Sequence, residues 1–428
     1  MELLRFRHRI GGAVELRMTD LSLTAQPVAL RPARPVNVRV ASLAVALLVV
    51  GAAWLAETVS WRQAALFAVG GAMGLVLYHA QFGFTSAFRV FLADRRGAGL
   101  RAQMAMLALA CLLFFPALAA GSLFGLPVKG NVDPIGMSVL VGAFLFGVGM
   151  QLGAGCASGT LYTVGGGSTR MVVTLIFFIA GSALGARHMG WWEAAPHVAG
   201  ISLVGRLGLV PALLMNLALF AAIAGATIML ERRRHGRLLP EERFTATGWR
   251  RALQGPWPLL VGALALALLN FATLALAGRP WGITSAFALW GSKAVAAVGV
   301  DVASWPYWSA PGRATQLTGS LSTDVTSVMD VGIVIGALAA AGLADKFAPV
   351  WKIPARSLLA AMVGGMLMGY GARLAYGCNI GAYFSGIASG SLHGWLWFAM
   401  ALAGSYLGTW LRPAFGLAVE RTPRQTGC

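Results

Sequence analysis

Hydrophobic positions in this chain run on without interruption; they neither alternate at the period of a strand nor gather on one face at the period of a surface helix. Apolar windows fall at 40–56, 63–80, 103–121, 137–153, 169–187, 205–230, 257–276, 281–300, 325–343, 356–375 and 393–411, each nearly free of charge. A helix rises ~1.5 Å per residue, so each window is long enough to cross the ~30 Å hydrocarbon core of a bilayer. A membrane β-barrel would show short alternating segments instead. The pattern predicts an all-α polytopic membrane protein with about 10–12 membrane helices.

Three connectors between windows are rich in glycine and small residues yet uncharged: 81–88 (QFGFTSAF), 154–168 (AGCASGTLYTVGGGS) and 376–391 (YGCNIGAYFSGIASGS). They are too polar to face lipid as helix and too uncharged for an ordinary surface loop. Non-helical backbone at membrane depth is tolerated only where protein or a wet cavity surrounds it. These stretches are therefore expected as re-entrant or short broken helices meeting near the centre.

The chain also repeats itself. Phe82-Gly83-Phe84-Thr85-Ser86-Ala87-Phe88 matches Trp281-Gly282-Ile283-Thr284-Ser285-Ala286-Phe287, and Gly149–Cys156 lines up with Gly371–Cys378. Gly159 then falls over Gly381, and Gly181–Gly185 over Gly404–Gly408 after a one-residue gap. The expected organisation is a tail at 1–39, a first membrane repeat at 40–190, and a linker at 191–256 with one span and a basic loop. A second repeat at 257–411 and a C-terminal tail at 412–428 complete it. Transporters often place their substrate site at such a repeat interface, in interrupted helices. The spacing leaves parallel and inverted repeats both open.

Composition narrows the class. Hydrophobic residues make up 57% and charged residues 11% of 428, against about 25% charged in soluble domains, which excludes a soluble enzyme and a disordered chain. The formal charge of +18 might point to nucleic acid, but the cations flank spans. Arg5, Arg7, Arg9, Arg17, Arg31, Arg34 and Arg39 precede the first window, and Arg232, Arg233, Arg234, Arg237, Arg243, Arg250 and Arg251 lie between two others. That is the positive-inside pattern beside anionic lipid, not a nucleic-acid surface. The polar residues ahead of the first window give no cleavable signal, so insertion into a cytoplasmic membrane is expected.

Few residues can carry chemistry. Among Cys111, Cys156, Cys378 and Cys428 there is no zinc spacing and no disulfide framework, so neither metal nor cofactor is expected. Cys111 reads as filler in an apolar run and Cys428 as a tail residue. Cys156 and Cys378 occupy equivalent places, Gly155-Cys156-x-x-Gly159 and Gly377-Cys378-x-x-Gly381. Glycine permits positive φ and close backbone approach, and a turn of this kind offers backbone N–H groups to an anion. A neutral thiol adds a soft S–H donor suited to sulfur chemistry.

Thr85, Ser86, Thr284 and Ser285 supply hydroxyls able to bind an oxyanion or to satisfy freed backbone groups. Gln151, Arg373, Lys293, Asn270 and Asn379 interrupt apolar windows, where polar groups are functional candidates by default. Lys293 and Arg373 could offset an anion's charge or snorkel to an interface. Asp324 and Asp330, at the start of one window, read as span-end residues or a proton-handling pair. The stretch Gly165-Gly166-Gly167-Ser168 lacks the lysine of a phosphate loop, and no hydrolase or HExxH motif occurs.

On Phe84-Thr85-Ser86-Ala87-Phe88-Arg89, Gly153-Ala154-Gly155-Cys156-Ala157-Ser158-Gly159 and Tyr376-Gly377-Cys378-Asn379-Ile380-Gly381, the chain resembles the YeeE/YedE family of sulfur-transport membrane proteins over about 60–410. The resemblance implies an hourglass-like helical protein that takes up thiosulfate, with Cys156 and Cys378 as relay thiols. It also implies a small soluble TusA-like sulfurtransferase as cytoplasmic partner. Many relatives carry a further cysteine where this chain has Gly83, and the counterpart Gly282 is no thiol either. Another sulfur- or selenium-containing anion therefore stays open, as does a membrane sulfurtransferase forming a persulfide on Cys156 or Cys378.

Overall fold

A chain surrounded by hydrocarbon must satisfy its own backbone N–H and C=O groups, and the uncharged windows do so as helices. The structure is a computed structural model that describes residues 36–240, 248–310 and 312–421. Most of the expected N-terminal tail and Cys428 thus lie outside the described residues. The helices that build the body are α1 (Val38–Thr58), α2 (Trp61–Ala80), α3 (Phe84–Asp94), α4 (Ala98–Ala120), α5 (Met137–Gly153), α6 (Ala157–Gly165) and α7 (Thr169–Glu193). They continue with α8 (Leu209–His235), α9 (Leu259–Ala277), α10 (Thr284–Ala297), α11 (Val325–Leu343), α12 (Ala355–Leu374) and α13 (Leu392–Leu411).

Among the described residues, nine helices, three of them continuing across a short break, are long and apolar enough to cross a membrane. The sheet found there is limited to two short antiparallel pairings, Ser122–Leu123 with Leu126–Pro127 and Ile135–Gly136 with His197–Val198. The protein is an all-α, multi-pass membrane protein. Its outer helices show it: α1 and α8 present Leu43, Val49, Val50, Trp54, Val210 and Leu214 at the surface, a display that water would penalise and lipid tails do not.

Helices end where the backbone turns left-handed. Gln81, Ala154 and Tyr376 carry φ of 47°, 66° and 56°, and these three residues sit at the breaks after α2, α5 and α12. The uncharged connectors are therefore interruptions of helices. The window at 281–300 requires a correction. Its helix, α10, covers 14 residues, a rise of about 21 Å, which is too short for a span. The residues before it, including Pro280 and Gly282, run without helix into the interior. There the Trp281 N–H donates to Asn270 Oδ1 (2.9 Å) and Ser385 Oγ donates to the Trp281 carbonyl (2.7 Å). Side chains of other elements satisfy this backbone, and hydropathy alone cannot see them.

Two pairings position the site. The Trp257 N–H, just ahead of α9, donates to the carbonyl of His79 near the end of α2 (2.7 Å), so α2 and α9 run in opposite directions. Gly142 of α5 lies against Gly371 and Leu374 of α12, and Gly149 against Gly364 and Met368. The helices leading to Cys156 and Cys378 are thus antiparallel neighbours. One end of the bundle is basic: Arg101 pairs with Glu231 at 2.7 Å and His235 bonds the Asp94 carbonyl at 2.8 Å, next to Arg232–Arg234. At the opposite end lie Asp133, in a loop, and Tyr307 and Arg313, in the short helices Pro306–Ser309 and Arg313–Thr318.

Candidate functional site

Cys156 is the N-cap of α6. Its Sγ accepts the Gly159 N–H at 3.4 Å and lies 3.4 Å from Ser158 Oγ. The Thr85 hydroxyl, buried in the first turn of α3 and without another hydrogen-bond partner among the described residues, adjoins the same thiol. Cys378 is the N-cap of a single π-helical turn, Asn379–Phe384, and its Sγ accepts the Ile380 N–H at 3.4 Å. Both thiols are buried in one continuous apolar core.

The glycines beside them act differently from one another. Positive φ falls on Ala154 and Tyr376, so Gly155 serves close packing: a Cβ there would stand 2.7 Å from the flexible end of Met171 and 3.3 Å from the Thr160 nitrogen. Gly377 needs both its φ of 158° and the gap, since its Cβ would stand 2.7 Å from the Ala382 nitrogen. Gly159 would bring a Cβ to an ordinary 3.5 Å from Cys156 Sγ. Gly381 is buried, yet a Cβ there would meet nothing within 4 Å. That is a void one turn from Cys378, and the next residue, Asn379, has a buried amide whose oxygen and nitrogen have no partner among the described residues.

Each break has its own supports. The guanidinium of Arg170 donates to the carbonyls of Leu152 (2.9 Å) and Gly153 (2.8 Å), which lost their helical partners when α5 stopped. At the other break, Trp397 Nε1 donates to the Gly377 carbonyl (3.2 Å) and Asn131 Nδ2 to the Gly381 carbonyl (3.2 Å). Tyr383 stacks between Trp397 and Phe398, with interplanar angles of 13° and 14°.

The remaining candidates separate. Thr85, Ser158 and Asn379 sit with the thiols, while Ser86 bonds the Gly83 carbonyl (3.0 Å). Thr284 begins α10, and Ser285 Oγ pairs with Thr326 Oγ1 at 3.1 Å. Lys293 is tied to the carbonyls of Leu317 (2.6 Å) and Gly319 (2.8 Å). Gln151 braces α3: its Nε2 donates to the Thr85 carbonyl (3.2 Å) and its Oε1 accepts from Arg89 (3.4 Å). Arg373 donates to Tyr307 Oη (2.7 Å) and stacks on that ring, as Arg313 does from 4.2 Å. Asp133 belongs to the same cluster; burial pushes its carboxyl up to about 6 against the pull of Arg373 and Arg313.

Asp324 caps α11, accepting the Ser327 N–H at 2.8 Å, as a span-end residue does. Asp330 lies deeper than its place in the window suggests. It is fully buried, and its oxygens have no hydrogen-bond partner among the described residues. Its signal was the acidic residue itself, six positions inside an apolar run.

Fold and site define a multi-pass helical membrane protein whose interrupted helices bring two thiols into a shared interior. The chain belongs to the sulphur-transport (YeeE/YedE) family, whose model matches residues 79–407. The probable transporter YedE of Escherichia coli (strain K12) is 32% identical over 161 residues, 38% of this chain and 38% of that protein. The thiosulfate transporter TsuA of Spirochaeta thermophila is 28% identical over 365 residues, 80% of this chain and 97% of TsuA. TsuA of Escherichia coli (strain K12) is 23% identical over 372 residues, covering 80% and 92%. The chain thus spans little more than a third of YedE and nearly the whole of TsuA.

Proposed function

We propose that this chain takes up a small inorganic sulfur anion, thiosulfate, across a bacterial cytoplasmic (inner) membrane, with Cys156 and Cys378 relaying the ion. The observation that carries the reading is the placement of both thiols at helix breaks within one buried core, each beside neutral donors. Thiosulfate ends in a soft sulfur that accepts from S–H, and in oxygens that accept from N–H and O–H. At Cys156 the donors are the Gly159 N–H and the hydroxyls of Ser158 and Thr85; at Cys378 they are the Ile380 N–H and the Asn379 amide. Such donors replace part of a dianion's hydration without the hold of a fixed cation, so the ion enters and leaves.

The two motif pairs are halves of one duplicated unit. The opposed directions of α2 and α9, and of α5 and α12, support an inverted arrangement in which each half sends one thiol inward from its own side. Positive-inside bias places the basic end in the cytoplasm. Sulfur delivered there passes to a TusA-like sulfurtransferase, as the resemblance implies. Neither thiol accepts a hydrogen bond from a cation among the described residues, whereas a persulfide-forming cysteine needs an electropositive setting; this favours transport over the enzymatic reading.

Uptake of 35S-labelled thiosulfate into proteoliposomes tests the relay. Cys156→Ala and Cys378→Ala should each fall to background while still folding, and Cys111→Ala should transport normally. Wild-type rates in both site variants would remove the thiols from the route.

A further inference from the structure

Arg89 closes the Phe84–Arg89 motif and is 8% exposed. It follows Thr85 by four residues on α3, so the two share one face, one helical turn apart. Thr85 adjoins Cys156; Arg89 stands a turn further toward the basic end. Its Nε and Nη2 grip both oxygens of Glu420 at 2.7 and 2.6 Å, and its Nη1 reaches Gln151 Oε1. A second guanidinium, Arg412, bonds the backbone carbonyl of the same Gln151 at 2.5 Å and the Ala418 carbonyl at 2.9 Å. The segment after α13 is thereby folded back over this mouth. A cavity of about 410 Å³ opens there, lined by Gly83, Ser86, Arg96, Trp257 and Glu420.

Two guanidiniums thus converge on one glutamine beside the line leading from Cys156, and the only carboxylate bonded to either of them among the described residues comes from near the chain's end. The Glu420 side chain is 42% exposed, whereas that of Arg89 is 10% exposed. The Arg89 hydrogen bonds hold the Glu420 carboxyl down to about 2, so it is an anion at any working pH. A guanidinium fork accepts the two-oxygen edge of a carboxylate or of a tetrahedral oxyanion equally well.

We propose that Arg89, with Arg412 beside it, is an oxyanion-binding site at the basic mouth of the pathway, and that Glu420 occupies it as an internal stand-in for the transported anion. The assignment rests on the reading of the thiols as the passage. An anion leaving Cys156 meets Arg89 one turn on and displaces the carboxylate. The tethered carboxylate then returns and lifts the anion off, a competitor held at high local concentration by its own chain. The exchange leaves an anion against the Arg89 guanidinium in both states.

Binding of thiosulfate and of sulfate to the full chain in nanodiscs tests this. Glu420→Gln keeps the shape and removes the charge; both anions should bind about tenfold more tightly, because the competing state is gone. Glu420→Ala should do the same. Adding Arg89→Gln, or Arg89→Lys if that double variant fails to fold, should cancel the gain. Unchanged affinity, undetectable binding throughout, or a gain that survives loss of Arg89 overturns the site. Sulfate lacks the terminal sulfur, so tighter sulfate binding upholds the arginine site even if Cys156→Ala transports normally. Unchanged binding of both anions sinks it even if Cys156→Ala is dead.

Discussion

At the Cys156 break, cations hold the freed carbonyls: Arg170 takes Leu152 and Gly153, and Arg412 takes Gln151. At the Cys378 break, an indole, an amide and a stack of rings do the same work, through Trp397, Asn131 and Tyr383. The sequence blocks around the two thiols are alike, yet their surroundings are not. One break is anchored by charge near the basic end, the other by neutral donors and packing. The local turn is encoded next to the cysteine, while the brace comes from elsewhere in the chain and differs between the two breaks.

Breaking the charged brace should have the largest effect. Arg170→Met keeps much of the apolar stem but removes two short charge-assisted bonds to buried carbonyls, a loss of about 3 kcal/mol or more. Thermal unfolding in detergent should show it as the greatest destabilisation in this set. Next, Gly377→Ala forces a left-handed residue and a 2.7 Å contact, costing about 2 kcal/mol, whereas Gly159→Ala should change stability by under about 0.5 kcal/mol. Equal losses at the two glycines would contradict the packing assigned to them. Trp397→Phe keeps the ring against Tyr383 but drops one neutral bond, and should cost about 1 kcal/mol.

The smallest effect concerns the opposite mouth. Asp133 titrates near 6 and faces Arg373, Arg313 and, at 3.6 Å, His393. Below that pH its carboxyl is neutral and the mouth is more positive toward a dianion. Uptake should therefore rise about two- to threefold as external pH falls through 6. Asp133→Asn should hold the acid rate at every pH. If the variant keeps the wild-type profile, the titration belongs to a group other than Asp133.

Much of this was legible along the chain. Uninterrupted apolar windows gave the helical membrane class, and the small, uncharged connectors marked the helix breaks at Gln81, Ala154 and Tyr376. The cysteines stood out because a glycine precedes each and another follows three residues later. What escaped the sequence depends on distant partners. Hydropathy read 281–300 as a span because it could not see Asn270 and Ser385 taking up the backbone of Trp281. Gln151, Arg373 and Lys293 looked like free polar groups in apolar runs, yet each has bonding partners from remote elements. Arg89 was visible within its motif, but its partner Glu420 lies 331 positions away.

The glycines of the central helices have a mechanical consequence. A methyl at Gly364 would lie 2.2 Å from the Gly153 nitrogen, at Gly369 2.1 Å from the Phe178 carbonyl, and at Gly404 2.0 Å from the Phe144 carbonyl. Backbones in such register interlock, with no side-chain cushion between α5, α7, α12 and α13. Sliding one of these rods past another would drive main chain into main chain. Any rearrangement during transport is therefore left to the short interrupted segments and the segment after α13.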